Sequence, residues 1–138
     1  MNCLFCRIAI KEVGSEIIYE DSNTLGFLDI NPISPGHSVV IPKSHAQNII
    51  QLDDSRVPAL FLAVKKVTSI LNKNLKPSGF TIGINHGEVS GQTIDHIHIH
   101  VIPRFAGDGG KSIHSVVTNP PKESIREQAD KIRNHHES

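Results

Sequence analysis

Apolar residues recur along this chain with two different periods. Val57, Leu60, Phe61, Val64, Val67 and Leu71 follow the i, i+3, i+4, i+7 spacing of one helical face. Ser55 or Asp54 is placed to cap that helix, and Pro58 falls in its first turn, where a missing N–H is tolerated. Elsewhere the period shortens. "EIIYED" (16–21), "TLGFLD" (24–29), "SVVIP" (38–42), "GFTIGIN" (79–85) and "TIDHIHIHVIP" (93–103) are rich in β-branched and aromatic residues and bounded by turn signals, so they read as strands. "NPISPG" (31–36) is a loop and "GEVSG" (87–91) a turn. "LFCRIAIKE" (4–12) predicts a short N-terminal helix. "KESIREQADKIR" (122–133) predicts a C-terminal one, with Ile125, Ala129 and Ile132 on one face. The order predicts an α+β fold: an antiparallel β-sheet with one long helix and short terminal helices.

One strand carries unusual chemistry. In "DHIHIHVIPR" (95–104) three histidines are spaced by two. A strand's side-chain period of two would put His96, His98 and His100 on one face and Ile97, Ile99 and Val101 on the other. Two chemical readings compete: a three-histidine metal site, or one imidazole that attacks while the others position. At ~3.3 Å per residue, His96 and His100 lie roughly 13 Å apart at Cα, so one ion shared by all three is strained. A division of labour fits better. Ordinary surface histidines would explain one such residue more readily than three in alternation.

Composition narrows the classes. The chain has 138 residues, enough for one domain with a sizeable core, and residues 1–138 are read as that domain. Fourteen basic and 14 acidic residues balance, and no basic stripe stands out, which disfavours a nucleic-acid binder. No apolar run approaches the ~20 residues of a membrane span, and the N-terminus lacks a signal peptide's pattern, so a cytoplasmic protein is expected. The two cysteines, Cys3 and Cys6, form a C-x-x-C pair that suits a shared metal better than a structural disulfide, although a redox pair or two buried thiols have the same spacing.

The word His96-Ile97-His98-Ile99-His100-Val101-Ile102 resembles the signature of the histidine triad (HIT) proteins, nucleotidyl hydrolases and transferases. "CLFCRIAIKEVGSEIIYED", "TLGFLDINPISPGHSVVIPKSH" and "GINHGEVSGQTIDHIHIHVIPR" are similar to the family's segments, in family order, across residues 3–104. The tail, 105–138, carries less. The resemblance implies cleavage at the α-phosphate of a nucleoside 5′-phosphate derivative, a phosphoramidate or a dinucleoside polyphosphate, with His98 as nucleophile. A nucleotidyl-histidine intermediate would split one displacement into two. It implies His100 near the scissile phosphate, His37 in an orienting role behind the triad, and Gln92 and Thr93 on phosphate and leaving group, with Gly91 letting backbone N–H groups approach. Asp29 would hold the ribose hydroxyls, Asn85 would lie near phosphate and ribose, and Phe5, Ile8, Val13, Phe27 and Ile30 would wall the base pocket. Core packing explains Ile8 and Val13 equally well.

The resemblance also gives the cysteines a meaning: a structural zinc held by Cys3, Cys6, His45 and His96 in a closed tetrahedral set. His96 then serves the metal, His98 attacks and His100 serves the phosphate. A purine nucleotide such as an AMP or GMP derivative is the implied substrate, with no organic cofactor. A homodimer is implied too, with the long helix offering Leu62 or Val67 to a partner. A non-catalytic nucleotide- or partner-binding module is the rival. His86, His114, His135 and His136 are given no role.

Overall fold

The structure is a computed structural model and describes residues 2–134. Five antiparallel strands form one sheet in the order β1-β2-β3-β5-β4. They are β1 (Ile17–Glu20), β2 (Thr24–Leu28), β3 (Ser38–Pro42), β4 (Gly79–Ile84) and β5 (Ile99–Arg104). The long helix α2 (Val57–Leu75) lies between β3 and β4 in sequence, and α1 (Leu4–Ala9) and α3 (Ile125–Asn134) stand near the ends. This is the α+β architecture that the pattern predicts. No helix among the described residues is long and apolar enough to cross a membrane.

Both faces of the sheet are apolar, but they are covered differently. On one face Val40, Ile99 and Val101 pack with Leu60, Ala63, Val64, Val67 and Leu71 of α2. On the other, Leu25, Phe27, Val39 and Ile41 pack with Phe5, Ile8 and Ala9 of α1. The short α1 reaches only β2 and β3 in that cluster. Gly26 permits the close seat of α2: a Cβ there would stand 2.7 Å from Val67 Cγ2.

Several expectations need correction. Val67 is fully buried and cannot be offered to a partner, whereas Leu62 is 53% exposed. Phe61 is also exposed, because the seam of α2 passes through Ala63 instead. Neither Ser55 nor Asp54 caps α2. Asp53 accepts from the Ser55 N–H at 2.9 Å and caps a preceding 3₁₀ turn, Asp54–Arg56, from which α2 continues. At the other end α3 begins at Ile125 because Ser124 and Glu127 form a capping box, each side chain accepting the other's backbone N–H at 3.1 Å. Its apolar face, with Ile125 and Ile132, is covered by no described residue.

The largest correction concerns β5. It starts at Ile99, not Thr93. Its pairing with β3 runs Ser38 to Val101, Val39 to His100 and Val40 to Ile99. Two positions further on β3 ends at Pro42, which has no N–H to give. The chain there leaves the sheet. The Ile97 N–H bonds to the Ala46 carbonyl at 2.7 Å, and the His96 N–H closes a tight turn on the Ile94 carbonyl at 2.9 Å.

Candidate active site and metal cluster

That departure separates the three histidines. His96 and His98 lie on the segment leading into β5, and His100 lies in the strand. The His98 Nδ1 stands 2.8 Å from the His96 carbonyl oxygen. A carbonyl only accepts, so Nδ1 carries the proton and Nε2 presents its lone pair. The Phe5 ring meets His98 edge to face, centroids 4.9 Å apart, and fixes the imidazole plane.

A second chain of partners fixes His100. The Ile33 N–H donates to His37 Nδ1 at 3.2 Å. The His37 proton is therefore on Nε2, which faces His100 Nδ1 at 3.0 Å. His100 in turn carries its proton on Nε2, as a donor. Asp29 stands beside both rings, its Oδ2 3.5 Å from His37 Nε2 and 3.9 Å from His100 Nδ1. Asp29, His37 and His100 thus bring three ligand atoms together. A protonated Nε2 on His37 cannot coordinate, so the cluster works as a hydrogen-bond chain rather than a metal site. Burial pushes His37 below the usual imidazole range. Burial, aided by the neighbouring His98 and His37, pushes His100 down to about 4.

His96 faces the other way. Its Nε2 donates to the Pro42 carbonyl at 2.8 Å, which leaves the Nδ1 lone pair free. That nitrogen lies 3.4 Å from Cys3 Sγ and 3.5 Å from Cys6 Sγ, and Cys6 Sγ lies 3.3 Å from His45 Nδ1. All four ligand atoms fall within 4.8 Å of one another. Tetrahedral zinc with ordinary bond lengths spaces sulfur and nitrogen ligands roughly 3.6 Å apart, so the donor set fits that ion. The carbonyl behind His96 is the outer-shell acceptor that metal-bound imidazoles use. Burial first, then the Cys3 thiol, pushes the Cys6 thiol up to about 11. Burial also pushes His96 down to about 4.

A cavity of about 430 Å³ opens beside His98 and His100, between α1, β2 and β3. Phe5, Ile8, Val13 and Phe27 line its apolar part. Asp29, Asn85, Gly91 and Thr93 line the polar part, and Ile30 stands at it 85% exposed. Thr93 makes no hydrogen bond with a described residue. Gly91 has φ +103, a conformation that requires glycine. Its N–H, however, closes the turn on the Glu88 carbonyl, and that of Gln92 closes it on Gly87. Gln92 is not brought to the cavity. Its side-chain NH₂ donates to the Gln47 and Ile94 carbonyls, and its oxygen accepts from the Gly87 N–H, so it ties the loop after β3 to the segment between β4 and β5.

Residues 10–107 match the family model of the HIT domain. The chain belongs to the HIT family. Its fold superimposes on that of a HIT family member from Bacillus subtilis with a TM-score of 0.86, at 31% identity, covering 98% of this chain and 97% of that one. An adenosine 5′-monophosphoramidase of Schizosaccharomyces pombe is 38% identical over 104 residues, 75% of each chain. A zinc-bound histidine triad family protein from Mycobacterium smegmatis superimposes with a TM-score of 0.74, at 32% identity, covering 95% of this chain and 89% of that one.

Sequence reasoning missed some residues of this HIT site. Val39 lines the cavity, and strict alternation along "SVVIP" would have set it on the face opposite Val40. Ser15 also lines it, and its Oγ is buried without a partner. Ile33 acts through a loop N–H, for which no side-chain signal exists. His86 and His114 are exposed, as expected, while His135 and His136 lie outside the described residues.

The depressed histidines predict that this HIT protein loses stability in acid. Between about 6.5 and about 4 the unfolded chain protonates His100 while the folded chain does not. Stability is therefore full above 6.5 and falls as pH drops through that window, at up to about 1.4 kcal/mol per pH unit per such group. Urea midpoints at pH 7, 5.5 and 4.5 are expected to decline, and His100→Asn to shallow the decline. An unchanged slope in that variant would show that His100 is not the group.

Proposed function

We propose that this HIT protein hydrolyses a nucleoside 5′-phosphate derivative at the α-phosphate through a nucleotidyl-His98 intermediate. The observation that carries the reading is the pair of opposed tautomers: a lone pair on His98 Nε2 and a proton on His100 Nε2, two residues apart at the mouth of one cavity. His98 Nε2 forms a bond to phosphorus as the bond to the leaving group breaks. The His100 Nε2–H hydrogen-bonds to the oxygen or nitrogen on which charge develops, and a leaving amine departs neutral with a proton supplied by solvent. Water then attacks phosphorus and gives a proton back to solvent, the P–N bond breaks, and the nucleoside monophosphate leaves with His98 restored. The apolar walls suit a purine, and the Asp29 carboxylate suits the two vicinal ribose hydroxyls. The named activity of the yeast relative supports a phosphoramidate of AMP as one substrate. A dinucleoside polyphosphate is the other, cleaved at P–O–P. Side-by-side turnover of adenosine 5′-phosphoramidate and diadenosine tetraphosphate tests the reading. Release of AMP from at least one is expected; binding without release from either would leave a nucleotide-binding module.

We further propose that Cys3, Cys6, His45 and His96 hold one structural zinc. The donor set and its spacing support this, as does the zinc-bound relative. The ion would supply no step of the reaction; it would tie the N-terminal segment to the residues that lead into His98. A twofold dimer is proposed as well, through the exposed Phe61 and Leu62 and the unpaired edge of β4. Sedimentation at micromolar concentration is expected to give twice the chain mass, and a monomer there would rule the dimer out.

A further inference from the structure

Two buried side-chain oxygens have no hydrogen-bond partner among the described residues, Thr24 Oγ1 and Ser15 Oγ. Thr24 opens β2 and does not line the cavity beside His98, whereas Ser15 does. Buried polar groups are nearly always paired, because an unmade bond costs the full desolvation of the group. An orphan hydroxyl in a cavity wall therefore points to a bond that a ligand completes.

The chain around this serine is tied down on both sides. After α1 the Glu12 and Val13 N–H groups both donate to the Arg7 carbonyl, at 2.9 and 3.3 Å, and the Leu28 N–H donates to the Glu16 carbonyl at 3.0 Å. Between these ties Gly14 and Ser15 make no hydrogen bond with a described residue. Both line the cavity, as Val13 does. Gly14 has no positive φ, and a Cβ built on it meets nothing within 4 Å. Packing within the chain does not require glycine there, and the missing side chain leaves bare main chain at the cavity wall. The place in the cavity says what this stretch meets. His98 and His100 take the phosphate end, and Val13 belongs to the apolar part with Phe5, Ile8 and Phe27. Apolar walls bury the faces of a flat ring but do not tell one ring from another. That takes a hydrogen-bonding group at the ring's edge. A serine hydroxyl reorients by rotation about one bond, and it both donates and accepts.

We propose that Ser15 is a specificity-determining residue whose hydroxyl takes the exocyclic group at C6 of a purine, at the bare main chain of Gly14 and Ser15. The proposal rests on the reading of this cavity as a nucleotide site with the base against Phe5, Ile8, Val13 and Phe27. Two bases share the chemistry. A 6-amino purine donates to Ser15 Oγ, and a 6-oxo purine accepts from its O–H. A purine with only hydrogen at C6 leaves the hydroxyl as unpaired as it is in the free protein.

Calorimetric titration of wild type and Ser15→Ala with AMP, IMP and purine riboside 5′-monophosphate tests this, the last probe having only hydrogen at C6. Wild type is expected to bind AMP, IMP or both about tenfold more tightly than the riboside probe. Ser15→Ala is expected to weaken only the favoured probe and so to abolish the preference, while the riboside probe binds as before. A preference for AMP alone assigns the hydroxyl to a 6-amino purine, and for IMP alone to a 6-oxo purine. The melting temperature of the unliganded chain gives an independent readout. Because Ser15 Oγ has no partner to lose, Ser15→Ala is expected to melt at or above wild type. A purely structural role would lower that temperature and weaken all three probes equally, and would overturn the proposal. So would a wild-type preference that Ser15→Ala leaves unmoved, or no preference at all, while the nucleotide reading stands. If wild type binds none of the three, the nucleotide reading fails and the role of Ser15 falls with it.

Discussion

His98→Asn is expected to lower turnover by roughly four orders of magnitude or more, while the melting temperature and AMP affinity stay near wild type. The size follows from the role. Removing the attacking atom of a covalent mechanism leaves only binding and electrostatic stabilisation of direct water attack. The fold should survive because asparagine keeps what holds the ring. Its side-chain NH₂ can still donate to the His96 carbonyl, which His98 Nδ1 contacts at 2.8 Å. His100→Asn is expected to cost less, since it removes a donor that stabilises developing charge and not the bond-forming lone pair. Single-turnover kinetics on both variants checks the order. A His98→Asn protein that retains a tenth of wild-type turnover would contradict the assignment.

The second large effect concerns the cysteine–histidine cluster. Protein purified with ample zinc is expected to hold about one ion per chain. Replacing Cys3 and Cys6 with serine should release it and lower the melting temperature by on the order of 10 °C, the equivalent of about 3 kcal/mol for a chain this size. The loss should be structural. Cys3 caps α1 through its Sγ, which accepts from the Cys6 N–H at 3.4 Å, and Phe5 of the same helix steadies the His98 ring. Turnover should fall modestly and persist, because no bond of the reaction passes through the ion. Elemental analysis and calorimetry check both halves. Zinc-free protein of unchanged stability would remove the metal, and a complete loss of turnover with the fold intact would give it a catalytic part.

The architecture was legible because its signals are periodic. The spacing from Leu60 to Leu71 gives α2, and the alternation in "SVVIP" and "GFTIGIN" gives strands that the sheet contains. The errors have physical causes. "HIHIH" alternates over its whole length, but alternation reports which way side chains face and not whether the backbone is paired. Pro42 cannot donate to the neighbouring chain, so pairing stops at Ile99 and His96 is freed to turn toward Cys3 and Cys6. The clash between three histidines and one ion was visible in the sequence from distance alone. Gln92 could not be resolved that way: a glutamine near a glycine turn reads the same whether it meets phosphate or three backbone groups. The Ile33 N–H that sets the His37 and His100 protons belongs to the backbone of "NPISPG", where side-chain pattern is silent.

The covalent step is the central claim, and stereochemistry at phosphorus tests it most directly. Hydrolysis of a substrate with a chiral α-phosphorothioate, in ¹⁸O-labelled water, reports how many in-line displacements phosphorus undergoes. Attack by His98 followed by attack of water inverts it twice, so the nucleoside phosphorothioate should form with net retention. Net inversion would mean a single displacement by water and would contradict the nucleotidyl-His98 intermediate.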